Sequence, residues 1–143
     1  ISVRLVGSEM CIRDRQMTKK SITTDQAPQA IGAYSQAVIS NNMLYVSGQI
    51  PLEPSGMEII DQSFDAAADQ VLNNLEAICK AANCSLDNIV KLTIYLTDLN
   101  NFNTLNAIME KRFTKPFPAR ATIEVSALPK GVTVEMDAIV EIP

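Results

Sequence analysis

Segments of strand-like hydrophobic alternation are interleaved along this chain with segments of helical periodicity. Strand patterns cover residues 37–40, 43–50, 89–99, 119–127 and 132–142. Helix patterns run from Asp61 or Ser63 to about Ala82 and from Phe102 or Asn103 to Phe113. This order predicts a single-domain α+β fold, in which right-handed crossovers place two helices on one face of a mixed β-sheet.

Composition and charge limit the partners of such a domain. The 143 residues are 47% hydrophobic and 20% charged, a balance typical of one globular domain. Apolar runs of only a few residues do not span a bilayer, so we expect no membrane partner. Residues 1–20 carry five basic against two acidic side chains, whereas the remaining 123 carry seven against fourteen, a net charge of −7. An acidic body does not attract a phosphate backbone, so we expect no nucleic acid partner.

The residue types that are scarce exclude several kinds of catalysis. Histidine is absent, which removes Ser-His-Asp and Cys-His catalysis and every histidine-containing metal motif. The cysteines are Cys11, Cys79 and Cys84, an odd number without a close CxxC pair. We interpret them as reduced thiols of a cytoplasmic protein, with Cys79 and Cys84 as small buried hydrophobes near a helix end.

The first sixteen residues, ISVRLVGSEMCIRDRQ, differ from the rest of the chain. They show neither strand alternation nor a helical stripe, and Glu9 and Asp14 interrupt any pattern of a transit peptide. The run GSEMCIRDR resembles translated sequencing-adapter read-through. We therefore expect residues 1–16 to be a non-native extension and residues 17–143 to form the functional domain.

Polar side chains occupy alternate positions of the last two strand patterns. They are Arg120, Thr122, Glu124 and Ser126 on the first, and Thr133, Glu135 and Asp137 on the second. We expect both sets on the sheet face away from the helices. Two interpretations of that face remain open: a half-solvated surface, or an oligomer interface with a wet polar site at its seam.

Five segments together resemble the reactive intermediate deaminase family, the Rid or YjgF-type proteins. They are APQAIGAYSQA at 27–37, VSGQIP at 46–51, LNNFNTLN at 99–106, PFPARATIEVSALP at 116–129 and VEMDAI at 134–139. The resemblance covers Lys20 to Ile142 and implies a homotrimer of a chorismate-mutase-like fold with clefts between subunits. It further implies hydrolysis of small 2-imino acids, such as 2-iminobutanoate and 2-iminopropanoate, to 2-keto acids and ammonia without a metal or organic cofactor.

The resemblance also assigns roles to individual residues. Arg120 matches the arginine that binds the substrate carboxylate, and Glu135 matches the acidic residue near the hydrolytic water. The other matched positions, expected to bind substrate, are Tyr34, Ser47, Gly48, Asn106 and Thr122. The chemistry agrees, because an arginine fork binds a carboxylate bidentately and one carboxylate can orient water towards a protonated imine.

The chain departs from the family pattern at two positions. Many archetypal members have cysteine where this chain has Thr122, and proline where it has Ala33. Threonine costs little if the position acts through its backbone, whereas a mechanism that requires a thiol would not operate here.

Structural interpretations stand beside these functional ones. Arg120 could form a surface ion pair with Glu124, Glu135 could be a solvated strand carboxylate, and Asn106 could be a surface amide. Tyr34 could pack at an interface, and Gly48 could mark a β-bulge. For the whole chain, the alternatives are a non-catalytic metabolite sensor or chaperone-like trimer with the same cleft, and an endoribonuclease, which the acidic body disfavours.

Strand register bears on whether Arg120 and Glu135 can share a site. A simple hairpin at 128–131 would set them four residues out of register, about 13 Å apart, and would place Glu124 opposite Glu135. The family's split βαβ pattern and its trimeric state indicate two solutions. We predict both: the last strand inserts elsewhere in the sheet, and the cleft gathers residues from neighbouring chains.

Overall fold

The computed structural model describes residues 19–60 and 63–143. The expectations for residues 1–16, including Cys11, and the choice of Asp61 as a helix cap lie outside these residues. The elements are β1 (Lys20–Ile22), β2 (Ala37–Ser40), β3 (Met43–Gln49), α1 (Phe64–Ala81), β4 (Ile89–Leu96), α2 (Phe102–Arg112), β5 (Ala119–Glu124) and β6 (Val134–Glu141). Both helices and five strands were predicted, with several strand ends placed too far out. The short β1 was missed, because three residues carry no periodicity.

Helix α1 begins and ends where local sequence chemistry favours it. The Ser63 hydroxyl accepts a hydrogen bond from the Ala66 N–H at 3.2 Å, which satisfies one of the free donors of the first turn. At the other end Asn83 adopts a left-handed φ of 60°, and the Cys84 N–H returns to the Cys79 carbonyl at 2.8 Å. The apolar stripe between these caps is buried: Ala67, Ala68, Val71, Leu72, Leu75, Ile78 and Cys79.

Within residues 19–60 and 63–143, the sheet has six strands in the order β1-β2-β3-β6-β4-β5. The last strand, β6, lies between β3 and β4 and is antiparallel to both, so β3, α1 and β4 form a split βαβ unit. β5 pairs with β4 in parallel at the sheet edge, reached through the crossover helix α2. The prediction that the last strand inserts elsewhere in the sheet is confirmed, and β5 and β6 form no hairpin.

The hydrophobic core lies between one face of the sheet and the two helices. Alternate β6 residues, Val134, Met136, Ala138 and Val140, join α1 and α2 side chains in one buried cluster. The opposite face, here called the open face, carries Tyr45, Tyr95, Glu135, Asp137 and Ile139, by the strand register. The α+β fold with a mixed sheet and two helices on one face is therefore confirmed for the described residues.

The polar side chains of β5 do not lie on the open face, which corrects one expectation. Arg120 pairs in register with Leu92, and Thr122 pairs with Ile94, so both lie on the helix side of the sheet. The apolar alternates of β5 face the open side instead, and Ile123 is 46% exposed there. The reason is that β5 is the edge strand of the sheet. Its helix-side residues therefore lie beyond the hydrophobic core and contact the side of α2.

The segment that follows β3 is held against α1 by a buried amide. Asn74 has no exposed surface, and its Nδ2 donates to the carbonyl oxygens of Ile50 at 3.2 Å and Leu52 at 3.1 Å. Leu52 in turn pairs with Ile59 in an isolated antiparallel bridge. The 50–59 segment, here called the β3–α1 loop, is thus tied both to itself and to the helix.

We expect Asn74→Ala to lower the free energy of unfolding by about 2–3 kcal/mol, because carbonyl groups beside the core lose their donor. Asn73→Ala is the matched control, since the exposed Asn73 side chain only accepts from Arg112 Nη2 at 3.0 Å. It should change stability by less than about 1 kcal/mol. Chemical denaturation measures both values, and equal losses in the two variants would contradict the role of Asn74.

Candidate functional site

A cavity of about 570 Å³ opens where β3 ends, and it gathers four of the residues predicted to form the site. Tyr34 comes from the loop before β2, Ser47 and Gly48 from β3, and Glu135 from the start of β6. Pro129 and Lys130 close it from the turn before β6. Residues far apart in sequence therefore meet because β6 pairs directly with β3.

A β-bulge in β3 brings Glu135 against Gly48. Val46 pairs with Ala138 and Gln49 with Met136, so β3 has one residue more than β6 over this stretch. A Cβ atom at Gly48 would overlap the Glu135 carboxylate, so only glycine allows this approach. The interpretation of Gly48 as a bulge residue is confirmed, and the bulge also positions a carboxylate.

Ser47 is turned away from β6 by its bonds to the neighbouring segment. Its N–H donates to the Gln36 carbonyl at 2.9 Å, and its hydroxyl donates to the Ser35 carbonyl at 2.6 Å. The Ser47 side chain thereby links β3 to the segment that carries Tyr34.

The environment of Glu135 disfavours its charged form. Burial and the neighbouring Asp137 carboxylate raise the pKa of Glu135 above its ordinary value. Asp137 accepts a hydrogen bond from the Tyr95 hydroxyl at 2.9 Å. That bond, together with burial, raises the pKa of Tyr95. A half-buried carboxylate of raised pKa at a cavity wall is suited to accept and return a proton.

Tyr34 is carried by a loop that a buried glutamine holds in place. Gln36 is 3% exposed, and its Nε2 donates to the carbonyls of Thr24 at 3.0 Å, Ala27 at 3.3 Å and Pro28 at 2.7 Å. Tyr34 itself is 53% exposed, and its hydroxyl accepts from the Ile31 N–H at 3.3 Å. Gln36 and the buried Gln49 were not predicted as site residues, although both stand in the quoted segments AYSQA and VSGQIP.

Arg120 lies at a second, smaller cavity of about 280 Å³ between α2 and β5. Its Nη1 donates to Asn106 Oδ1 at 2.6 Å, and its guanidinium lies 5.2 Å from the centre of the Phe102 ring. The alternative of an ion pair with Glu124 is wrong, because Glu124 instead accepts from the Leu99 N–H at 3.0 Å. Asn106 is likewise more than a surface amide, since it orients the guanidinium.

Thr122 lies two residues beyond Arg120 on the same side of β5. Its Oγ1 is buried and has no hydrogen-bond partner within the described part of the chain. A buried hydroxyl without a partner costs about 1–3 kcal/mol, so a group that supplied a partner would gain that energy.

Within one chain, the predicted site residues therefore form two separate clusters. The Glu135 cluster contains Tyr34, Ser47, Gly48 and Glu135. The Arg120 cluster contains Asn106 and Arg120, with Thr122 beside them. Glu135 extends from the open face and Arg120 from the helix face, with β4 between their strands. The two side chains do not meet within one chain.

The remaining chemistry in the described residues is sparse. Burial first, and then Cys84 and Glu76, raise the pKa of Cys79 to about 12, so the interpretation of Cys79 and Cys84 as buried, free thiols is confirmed. Over residues 19–60 and 63–143 no three side chains of the metal-binding types come together. No helix in those ranges is long and apolar enough to cross a membrane.

Comparison with known proteins agrees with this fold and these segments. The family model described as Endoribonuclease L-PSP matches residues 24–142, and the chain belongs to this family, the Rid or YjgF family. It is 47% identical over 127 residues to protein DfrA of Myxococcus xanthus, covering 87% of this chain and 97% of that protein. It is 44% identical over 123 residues to the human 2-iminobutanoate/2-iminopropanoate deaminase, covering 86% and 90% of the two chains.

Solved structures show the same architecture. RidA from the Antarctic bacterium Psychrobacter sp. PAMC 21119 matches with a TM-score of 0.83 at 46% identity, over 86% of this chain and 99% of that one. The YjgF gene product of E. coli matches with a TM-score of 0.78 at 42% identity, over 85% and 98% of the chains. The family resemblance found in the sequence is therefore confirmed.

The raised pKa of Glu135 predicts a pH-dependent stability difference. A carboxyl group of raised pKa binds its proton more tightly in the folded chain, so ionised Glu135 lowers stability at neutral pH, and this penalty is lost as the pH falls through the raised pKa. We expect Glu135→Gln to be more stable than the parent at pH 7, with a difference that shrinks towards about pH 4. Denaturation at several pH values measures it. Glu141→Gln on the same strand controls for net charge, and a difference independent of pH would contradict the assignment.

Proposed function

We propose that this chain hydrolyses small 2-imino acids, such as 2-iminobutanoate and 2-iminopropanoate, to 2-keto acids and ammonia. The support is the close similarity to proteins named 2-iminobutanoate/2-iminopropanoate deaminase. Two clusters of suitable chemistry accompany it: a positioned guanidinium and a carboxylate of raised pKa. In the reaction, water forms the new C–O bond, the C–N bond breaks, and the nitrogen leaves as ammonia.

Arg120 is the group that binds the substrate carboxylate. The Asn106 bond and the Phe102 ring fix its guanidinium but occupy only part of it, and an arginine carries five N–H donors. A fixed fork of donors with permanent charge holds a carboxylate in one orientation, which places the adjacent imine carbon. Lysine would supply the charge but not the rigid planar pair of donors that matches a carboxylate.

Glu135 acts as the general base and the general acid. A protonated imine is already electrophilic, so catalysis requires a water molecule in place and a base to take its proton. Glu135 accepts that proton as the C–O bond forms and returns it to the nitrogen of the carbinolamine. Ammonia then leaves as the C–N bond breaks, and the hydroxyl gives up its proton to the solvent as the C=O bond forms. The raised pKa of Glu135 suits both steps. A more basic carboxylate takes the proton from water more readily, and the carboxylic acid so formed can then protonate the nitrogen.

Thr122 contributes without thiol chemistry. Its hydroxyl has no partner in the described chain, so it is free to hydrogen-bond the substrate beside Arg120. The buried Cys79 and Cys84 offer no reactive thiolate in its place. The mechanism above uses no thiol, and threonine is compatible with it.

The complete site forms between neighbouring subunits of a homotrimer with the chorismate-mutase-like arrangement. Two observations support this assembly. The open face exposes apolar surface, with Tyr45 at 43% and Ile123 at 46% exposure, as interaction surfaces do. The Arg120 and Glu135 clusters are separate within one chain, and a head-to-tail ring can join the first cluster of one copy to the second cluster of the next.

The direct test is an imine-trapping assay. An amino-acid oxidase generates the imines, and semicarbazide traps what the protein does not hydrolyse. We expect the parent chain to reduce trapping, Arg120→Ala to abolish that effect, and Arg120→Lys to lose most of it, a loss of about 100-fold or more. Arg112→Ala is the matched control, because Arg112 only bridges α1 and α2 through Asp69 and Asn73.

Two outcomes would contradict the enzymatic proposal. Trapping that the parent chain leaves unchanged, together with calorimetric binding of 2-ketobutanoate, would favour a metabolite-binding trimer with the same cleft. Equal activity in Arg120→Ala and Arg112→Ala would remove Arg120 from the site.

A second prediction tests the division of the site between subunits. Arg120→Ala and Glu135→Gln, each inactive alone, are co-refolded in equal amounts. If each site takes Arg120 from one chain and Glu135 from its neighbour, random mixing makes about a quarter of the sites intact. Mixing Arg120→Ala with Asn106→Ala, both in the Arg120 cluster, should restore nothing. Recovery in neither mixture would show that one chain supplies both groups.

A further inference from the structure

The larger cavity extends well beyond its catalytic end. Among the described residues that line it, Glu135 and Lys130 are charged, whereas the large apolar side chains are Ile31, Ile50, Leu52 and Met57. Clefts of about 300–1,000 Å³ accommodate ligands of drug size, and this one measures about 570 Å³. In a single chain, a four-carbon imino acid bound at Glu135 would leave much of this cavity unfilled.

Much of the apolar part of the cavity is formed by the β3–α1 loop, which hydrogen bonds hold in one conformation. Within the β3–α1 loop, the Glu53 N–H donates to the Glu58 carbonyl at 2.7 Å and the Met57 N–H to the Glu53 carbonyl at 2.8 Å. The buried Asn74 holds the other end through two carbonyls. A wall held this way stays in place when the site is empty, so it can select ligands by shape.

Met57 adopts a backbone conformation that costs energy. Its φ is 55°, in the left-handed region where a side chain with a Cβ is disfavoured. Gly56, which would adopt that conformation freely, stands next to it and does not have a positive φ. The chain thus places methionine where glycine would be more stable, and strain of this kind accumulates at ligand-contacting positions.

Ile31, in the loop before β2, also indicates an apolar ligand site. It is 72% exposed, more than any other large hydrophobic residue in the described chain, and it lies at the cavity three residues before Tyr34. An exposed apolar side chain at the rim of a cavity is available to pack against an apolar ligand bound there.

We propose that Ile31, Leu52 and Met57 form a side-chain subsite that makes this chain prefer 2-imino acids with long apolar side chains over 2-iminopropanoate and 2-iminobutanoate. The inference rests on the proposed deamination and adds the substrate class to it. The imine and carboxylate lie at the polar end, and the substituent extends along the β3–α1 loop. Each methylene buried there favours the longer substrate by about fourfold.

The test is a series of imines generated from alanine, 2-aminobutyrate, norvaline and norleucine. We expect kcat/KM to rise along the series, by up to about fourfold per methylene. Met57→Gly should lower the norleucine-to-alanine ratio by about five- to tenfold. It should not reduce thermal stability, because glycine relieves the left-handed strain. Ile59→Ala is the control, since Ile59 lies in the same loop but does not line the cavity.

The outcomes separate this inference from the proposed function. Hydrolysis of all four imines with a flat or falling series, or an unchanged ratio in Met57→Gly, overturns the subsite alone. Hydrolysis of none overturns the enzymatic proposal. In that case calorimetry with 2-ketobutanoate and 2-ketohexanoate still measures the subsite, which requires tighter binding of the longer acid and a loss of that difference in Met57→Gly.

Discussion

The pairing of β6 with both β3 and β4 is the constraint on which the rest of the structure depends. β6 is the last strand in sequence yet occupies an inner position, with Met136, Val134 and Val140 fully buried under the helices. Because its partner β3 comes from near the start of the fold, the Glu135 cluster joins residues about a hundred positions apart. The same insertion sends β5 to the sheet edge, where Arg120 passes the core and reaches α2. One topological feature therefore creates both clusters and keeps them separate.

The bulge at Ser47 and Gly48 lets the Glu135 carboxylate lie close to the backbone of β3. The bulge shifts the register so that Gln49, and not Gly48, pairs with Met136, and the missing Cβ of Gly48 leaves room for the Glu135 carboxylate beside the backbone. The carboxylate is then partly removed from water and faces a second acid, Asp137, on the same strand. Both effects raise its pKa, so the proton affinity of Glu135 follows from strand register and from one glycine.

The sequence predicted the elements well and the faces less well. Helix α1 and strand β4 have strong periodicity, and Ser63 caps the start of the helix, so their positions could be predicted from the sequence. The two-residue period of β5 was also recognised, but periodicity cannot tell which face of an edge strand meets the helices. The side of Arg120 follows from its parallel register with Leu92, which depends on where β6 inserts. Gln36 and Asn74 were missed as structural amides, because burial of a polar side chain depends on contacts distant in sequence.

The family shares one fold across proteins of different names, so the fold alone does not choose among functions. The proposed function is supported by groups that folding stability does not require. A glutamate of raised pKa, a hydroxyl without a partner and a methionine in a left-handed conformation each make the folded chain less stable than simple replacements would. All three lie at the two clusters or at the cavity beside them. Destabilising groups that one substitution could relax tend to be kept where function needs them, which agrees with the proposed binding and proton-transfer site.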